Sequence, residues 1–460
     1  MLANLLSQEE FGLVGAVLIF QAIASIVVDS GFSYALLQRK RPTRLDYSTI
    51  LWFNLAASAA LYIVLYMCAP LIALCFQNDQ RLIPLTRVMC LGIILNASAI
   101  IQTNRLMKHM NVRMLTISNS IGVAVGGVVG IALAVAGYGA WAIVWQALVN
   151  SALKSIILWT TSRWRPLLRF SFPALKSYFG LGSRMMASSF IGTALQYIYS
   201  FVIGNRVGFK PLGYYTQSDK WSKMCITSIS GAITSSFIPA LAAVQDEPQR
   251  FAAMVSKMNR FTSYIIFPVM LGLMFMARPI FHALFATKWD PSIILFQLLL
   301  FKGIFYIFSI LYNNYLISLG HGGTIVKLGI VRDGSTVAAL VATIPFLNLT
   351  TPLNPVYGLE IMLWGQVAAS ALTWLITLVS TVRISRVPVM MFLTDMLPYF
   401  AQTAVIIPLM GLAAAPFENP WLKILLMGAT GLCLYIGGNF FFKSKIQKEV
   451  FMYFRKGKLD

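Results

Sequence analysis

Apolar residues run along this chain in long blocks, not at the three- and four-residue spacing of an amphipathic surface helix. A block of about 20 residues crosses a hydrocarbon core of roughly 30 Å as a helix, because lipid leaves every backbone N–H and C=O to be satisfied within the segment. Thirteen blocks of this kind are legible, at 11–37, 48–76, 82–104, 113–136, 139–160, 180–204, 216–240, 259–286, 292–319, 324–346, 356–382, 391–412 and 420–442. The segments between them are short and polar, which leaves no room for a separate catalytic domain. The pattern predicts an all-α polytopic membrane protein.

Composition agrees. Of 460 residues, 58% are hydrophobic and 11% charged, against roughly 25% charged in soluble domains. The net charge of +21 does not indicate nucleic acid, because the basic residues are spread between apolar blocks and form no single solvated face. Their distribution instead alternates. One set of segments holds 24 basic residues, including Arg39, Lys40, Arg41, Arg44, Arg332 and those of the tail. The other holds only Arg81, Arg206, Lys210 and Lys288. The positive-inside rule then places the C-terminus in the cytoplasm and Met1 outside.

An internal repeat gives the plan behind that topology. "EFGLVGA" around Gly12 resembles "PLGYYTQ" around Gly213, and "SGFSYALLQ" resembles "SSFIPALAAVQ", at offsets of 201 and 205 residues. Six blocks separate the copies, so the two halves share one orientation, a known arrangement in transporters. At the same offset the counterpart of 180–204 falls before Met1. The expected plan is therefore fourteen helices with the first largely missing from this chain. The glycines of 122–130 lie within an apolar block and predict close helix packing.

Ionisable residues inside apolar blocks mark candidate chemistry, since each is costly unless it meets a partner or a wet cavity. Lys302, ten residues into its block, is about 15 Å deep and near the midplane. Asp219 and Lys223 stand at i,i+4 and can pair, while Lys220 points elsewhere beside Trp221. Arg184 lies near the start of its block, with Tyr199 further along, and Tyr306 is one turn from Lys302. Few acids share these depths; Glu360 is one. An uncompensated positive cavity implies an anionic substrate. Asp29 and Gly31 precede the first basic segment, a position suited to charge pairing, close packing or a cytoplasmic gate. Five cysteines and three histidines show no metal-ligand spacing, so neither metal nor cofactor is expected. With no nucleophilic triad or paired carboxylates, an enzyme is not expected.

The stretches "LLSQEEFGLVGAVLIF", "DSGFSYALLQRK", "GYGAWAIVWQALV", "SRWRP" and "FIPALAAVQDEPQRF" resemble bacterial polysaccharide flippases of the multidrug/oligosaccharidyl-lipid/polysaccharide exporter superfamily. The resemblance covers nearly the whole chain. It implies two parallel six-helix lobes, at 1–160 and 161–382, with two C-terminal helices and a basic tail over 383–460. It also implies alternating access that moves undecaprenyl-diphosphate-linked oligosaccharide across a bacterial inner membrane. Lipid, a polysaccharide polymerase and glycosyltransferases are the implied partners. Lys302, Arg184, Lys220, Lys223, Tyr306 and Tyr199 would then bind substrate, and Asp29 would serve a gate. Two other readings are a drug or small-metabolite antiporter of the same superfamily and a membrane glycan polymerase or ligase. The first would favour intramembrane acids, and the second longer outer loops.

Overall fold

The computed structural model describes residues 1–448 apart from 163, 286, 353, 443 and 445, without the side chains at 29–31, 34 and 181. Its helices are α1 (Leu2–Leu5), α2 (Gln8–Gln38), α3 (Arg44–Cys75), α4 (Leu82–Met89), α5 (Leu91–Lys108), α6 (Val112–Val135), α7 (Ala140–Thr161) and α8 (Phe172–Arg206). They continue as α9 (Phe209–Ala242), α10 (Pro248–Phe275), α11 (Ala277–Leu284), α12 (Asp290–Ser318), α13 (Gly322–Thr343), α14 (Tyr357–Ser385), α15 (Val389–Ala414) and α16 (Pro420–Phe441). Each apolar block is a helix or a broken pair, α4 with α5 and α10 with α11.

Twelve spans among the described residues are long and apolar enough to cross a membrane. The block at 324–346 is a helix but not one of the twelve. Every 18-residue stretch of α13 holds Lys327, Arg332 and Asp333. Arg332, which the alternation of basic segments predicts to be a loop charge, instead lies ten residues inside α13, about 15 Å from its start.

Polar residues set the helix starts. Ser7 and Glu10 form a capping box at α2, with Ser7 N donating to Glu10 Oε2 at 2.6 Å. Thr43 and Asp46 do the same at α3, satisfying amides that the first turn leaves without partners. The helix α8 begins eight residues before the apolar block at 180. Ser171 caps it, accepting from Ala174 N at 3.3 Å, with proline in the first turn.

The chain divides into two compact units, Met1–Thr216 and Gln217–Asp460, so the boundary runs through α9. In the first unit α8 packs along α2, and α6 along α7. A Cβ at Gly122, Gly126 or Gly130 would lie 2.5, 2.8 or 2.9 Å from Asn150 or Gln146 on α7. These glycines are the close-packing face read from sequence. The basic segment after α2 closes over aromatic rings: Arg39 stands 4.9 Å from the Tyr178 ring and 3.8 Å from Asp46. Arg105 lies 5.4 Å from the Trp164 ring, and Lys108 Nζ donates to the carbonyl of Leu36 at 3.1 Å, near the end of α2.

At its other end α2 crosses the first turns of α9. A Cβ at Gly12 would fall 1.9 Å from the carbonyl oxygen of Phe209, and one at Gly213 would fall 1.9 Å from that of Gln8. Gly15 meets Thr216 in the same crossing, at 2.8 Å from its Cγ2. In the second unit α12 packs against α14, and α10 and α16 flank α15. Asp395 of α15 accepts from Ser256 at 2.7 Å and stands 3.7 Å from Arg260, both on α10.

Candidate functional site

The helix α12 passes close to α9 because Gly303 has no side chain. A Cβ there would lie 2.6 Å from Ile226 Cδ1. Ser218 Oγ ties the start of α12 to α9, donating to the carbonyl of Ser292 at 2.8 Å. Lys302, beside that glycine, is twelve residues and about 18 Å into its helix. Its Nζ donates to Oε1 of Gln366 on α14 at 2.7 Å. Gln366 is only 2% exposed, and its Nε2 has no partner among the described residues. An amide lends a dipole but no compensating charge, so its hydrogen-bond partner does not neutralise the ammonium.

Across from Lys302, Lys223 and Asp219 of α9 form an ion pair at 2.6 Å, as their spacing predicts. The pair acts electrostatically on Lys302, and the three groups together carry one net positive charge. Lys220 is exposed and outside the pair, next to Trp221, whose ring meets Phe285 edge-on at 5.7 Å. Tyr306 is 38% exposed, one turn along α12. Lys302, Lys223, Lys220 and Tyr306 thus belong to one unit.

Arg184 and Tyr199 belong to the other. Both are on α8, Arg184 exposed and Tyr199 buried. The side chain of Asp29 lies outside the described residues. Glu360 accepts from the side-chain amide of Asn354, in the first turn of α14. Among the described residues no group of three or more His, Cys, Asp or Glu could hold a metal.

Three features escaped the sequence reading. Gln366 was legible only as a polar residue inside "WGQVAAS"; its pairing with Lys302 needs the fold. Lys154 of α7 lines a cavity of about 550 Å³ with Ser33, Asn96 and Asn104, between α2, α5 and α7. Arg332 lines a second polar cavity with Tyr306 and Asn313. An apolar groove of about 450 Å³ runs between α10, α15 and α16, lined by Pro268, Gly272, Ile406, Met410 and Gly431.

Comparison with known proteins gives this arrangement a context. The chain is 24% identical over 340 residues to the succinoglycan biosynthesis transport protein ExoT of Rhizobium meliloti (strain 1021), covering 74% of this chain and 68% of that protein. It is 25% identical over 288 residues to the teichuronic acid biosynthesis protein TuaB of Bacillus subtilis (strain 168), covering 61% and 58%. The lipopolysaccharide biosynthesis protein WzxC of Escherichia coli (strain K12) is 24% identical over 311 residues, covering 66% and 62%. In fold the chain is similar to the lipid II flippase MurJ in an inward closed conformation, with TM-score 0.72, 14% identity and coverage of 96% and 94%. An inward-facing multidrug resistance MATE transporter of the MOP superfamily gives 0.60, with 16% identity and coverage of 83% and 92%. The first of these is named as a transport protein, MurJ as a flippase and the MATE protein as a transporter, and the fold shared with the last two is that of a multi-pass membrane protein. Residues 1–294 match the family described as polysaccharide biosynthesis protein, and the chain belongs to that family.

Proposed function

We propose that this protein flips a lipid-linked oligosaccharide, carried on undecaprenyl diphosphate, from the cytoplasmic to the periplasmic leaflet during surface polysaccharide synthesis. The observation that carries the reading is Lys302, a cation deep in α12 whose described partner is the neutral Gln366. A diphosphate cannot enter hydrocarbon unaided, because desolvating its charge costs many kcal/mol. Lys302, with Lys223 and Lys220 on the facing helix, offers the headgroup a replacement for water. The aromatic edge of Tyr306 then meets the first sugars. The apolar groove beside α15 and α16 suits the lipid chain.

In this reading the lobes are 1–160 and 161–382, followed by the helices of 383–460, with the C-terminus in the cytoplasm. Arg184 and Tyr199 of α8 contribute to the substrate path and Asp29 to its cytoplasmic gate. Alternating access follows from movement of the repeat-related halves. Glycosyltransferases supply the substrate and a polymerase consumes it. Deleting the gene tests this: lipid-linked repeat units should accumulate in the inner leaflet while surface polysaccharide disappears, with recovery by the wild-type chain. Unchanged surface polysaccharide in the deletion strain would contradict it.

A further inference from the structure

The helix α13 carries its charges where a lipid-facing helix would not. Arg332 and Asp333 pair at 2.8 Å, ten and eleven residues in, yet their side chains are 48% and 31% exposed. A partly exposed ion pair at that depth cannot face hydrocarbon, so this face of α13 meets water or a polar ligand. Beside it lies a cavity of about 210 Å³, walled by Tyr306, Ser309 and Asn313 of α12, Arg332, and Thr373 and Thr377 of α14. At ~30 Å³ per water the space holds about seven waters. That is room for one hydrated sugar ring and not for an oligosaccharide.

The wall chemistry is specific. Arg332 engages Asp333 through Nε, leaving two terminal nitrogens with no acceptor among the described residues. That end of a guanidinium matches a carboxylate with two parallel hydrogen bonds. The side-chain oxygen of Asn313 is buried without a partner among the described residues, an unmet acceptor suited to a sugar hydroxyl. Ser309 and Thr373 already donate to the carbonyls of Phe305 and Ala369, so the Ser309 oxygen remains to accept, while that of Thr373, 3.2 Å from Ser335 Oγ, keeps one further lone pair. Lys302, Tyr306, Ser309 and Asn313 follow one face of α12 at helical spacing, so this cavity lies on the same helix face as Lys302.

We infer that this cavity binds a single acidic sugar, a pyranose bearing a carboxylate. Arg332 holds the carboxylate, and Asn313, Ser309 and Thr373 accept from the ring hydroxyls. The role of such binding in transport rests on the flippase reading above; the binding itself does not.

The test titrates the purified full-length chain with methyl α-D-glucuronoside, methyl α-D-glucoside and inorganic phosphate, read by saturation-transfer NMR with thermal unfolding as a check on each variant. The glucuronoside should bind about tenfold more tightly than the glucoside, and Arg332→Gln should remove that advantage, the order of one charge-assisted hydrogen bond. Asn313→Leu, which leaves the ion pair in place, should weaken both sugars several-fold and decides the matter if Arg332→Gln does not fold. Absent glucuronoside binding, equal binding of the two sugars, or phosphate displacing the glucuronoside at equal concentration would overturn the proposal. Unaltered affinity in a folded Arg332→Gln would do the same. A protein that binds the glucuronoside but moves no lipid-linked oligosaccharide would retire the flippase reading and leave this site standing.

Discussion

Gly12 and Gly213, equivalent positions of the internal repeat, each lie against the backbone of the other's helix. Gly12 meets the carbonyl of Phe209, and Gly213 meets that of Gln8, at matching distances. Gln8 and Phe209 are themselves equivalent, as are Gly15 and Thr216, all 201 residues apart. The crossing of α2 and α9 therefore has local two-fold symmetry, and the offset read from sequence is its register. Glycine is needed on both sides because the approach is backbone to backbone, where no side chain can rotate away.

Gly12→Ala and Gly213→Ala should consequently destabilise the chain to a similar degree, by about 1–3 kcal/mol or more, the usual cost of overpacking. Gly127→Ala, with nothing within 4 Å of its Cβ, should be neutral or slightly stabilising. Thermal unfolding in detergent gives the comparison. Wild-type stability in Gly213→Ala would show that the crossing tolerates separation.

The loop before α4 carries a pH-sensitive tie. Arg81 bonds both Asp79, at 2.6 Å, and Glu9 in the first turn of α2. The Arg81 guanidinium holds the Asp79 carboxyl below the ordinary carboxylate range. A depressed carboxyl pKa adds stability that is complete above about pH 4 and is lost as pH falls through the folded-state value. Protection of amides 77–81, their exchange rate relative to the intrinsic rate at each pH, should therefore drop below pH 4 and hold steady from pH 5 to 8. In Arg81→Gln the low protection should be present throughout. A flat profile in the wild-type chain would rule the tie out.

Orientation has a direct check. In a cysteine-free background, Arg41→Cys should be shielded from an impermeant maleimide added outside intact spheroplasts, while Lys210→Cys should react. Both positions are exposed, so access through the membrane is the difference measured. Labelling of Arg41→Cys alone would invert the topology.

The helices were legible because lipid demands about 20 apolar residues in a row, a signal that needs no tertiary information. The glycine face of α6 was legible for a related reason, since close packing needs small residues at one helical spacing. The start of α8 was hidden because Ser171, proline and Lys176 belong to a polar first turn outside the apolar block. Arg332 was misplaced because Lys327, Arg332 and Asp333 make the first half of this run polar enough to resemble a loop. The site was legible only in part. Lys302 stood out by depth, but Gln366 is 64 residues away, and only packing of α12 on α14 brings the two together. Arg184 and Tyr199 shared the chemistry expected of the site, and chemistry alone could not assign them to its unit.

The central claim concerns charge deep in the membrane, and translocation per folded molecule tests it. Purified chain in vesicles should move lipid-linked oligosaccharide between leaflets. Lys302→Gln, which keeps polarity and removes the charge, should lower the rate at least about tenfold, as expected for losing a hydrogen bond to a charged group. Lys302→Arg should keep part of the rate, since either cation binds phosphate with different geometry, and Lys220→Gln should have a milder effect. Wild-type translocation by folded Lys302→Gln would remove this lysine from the substrate path and contradict the account.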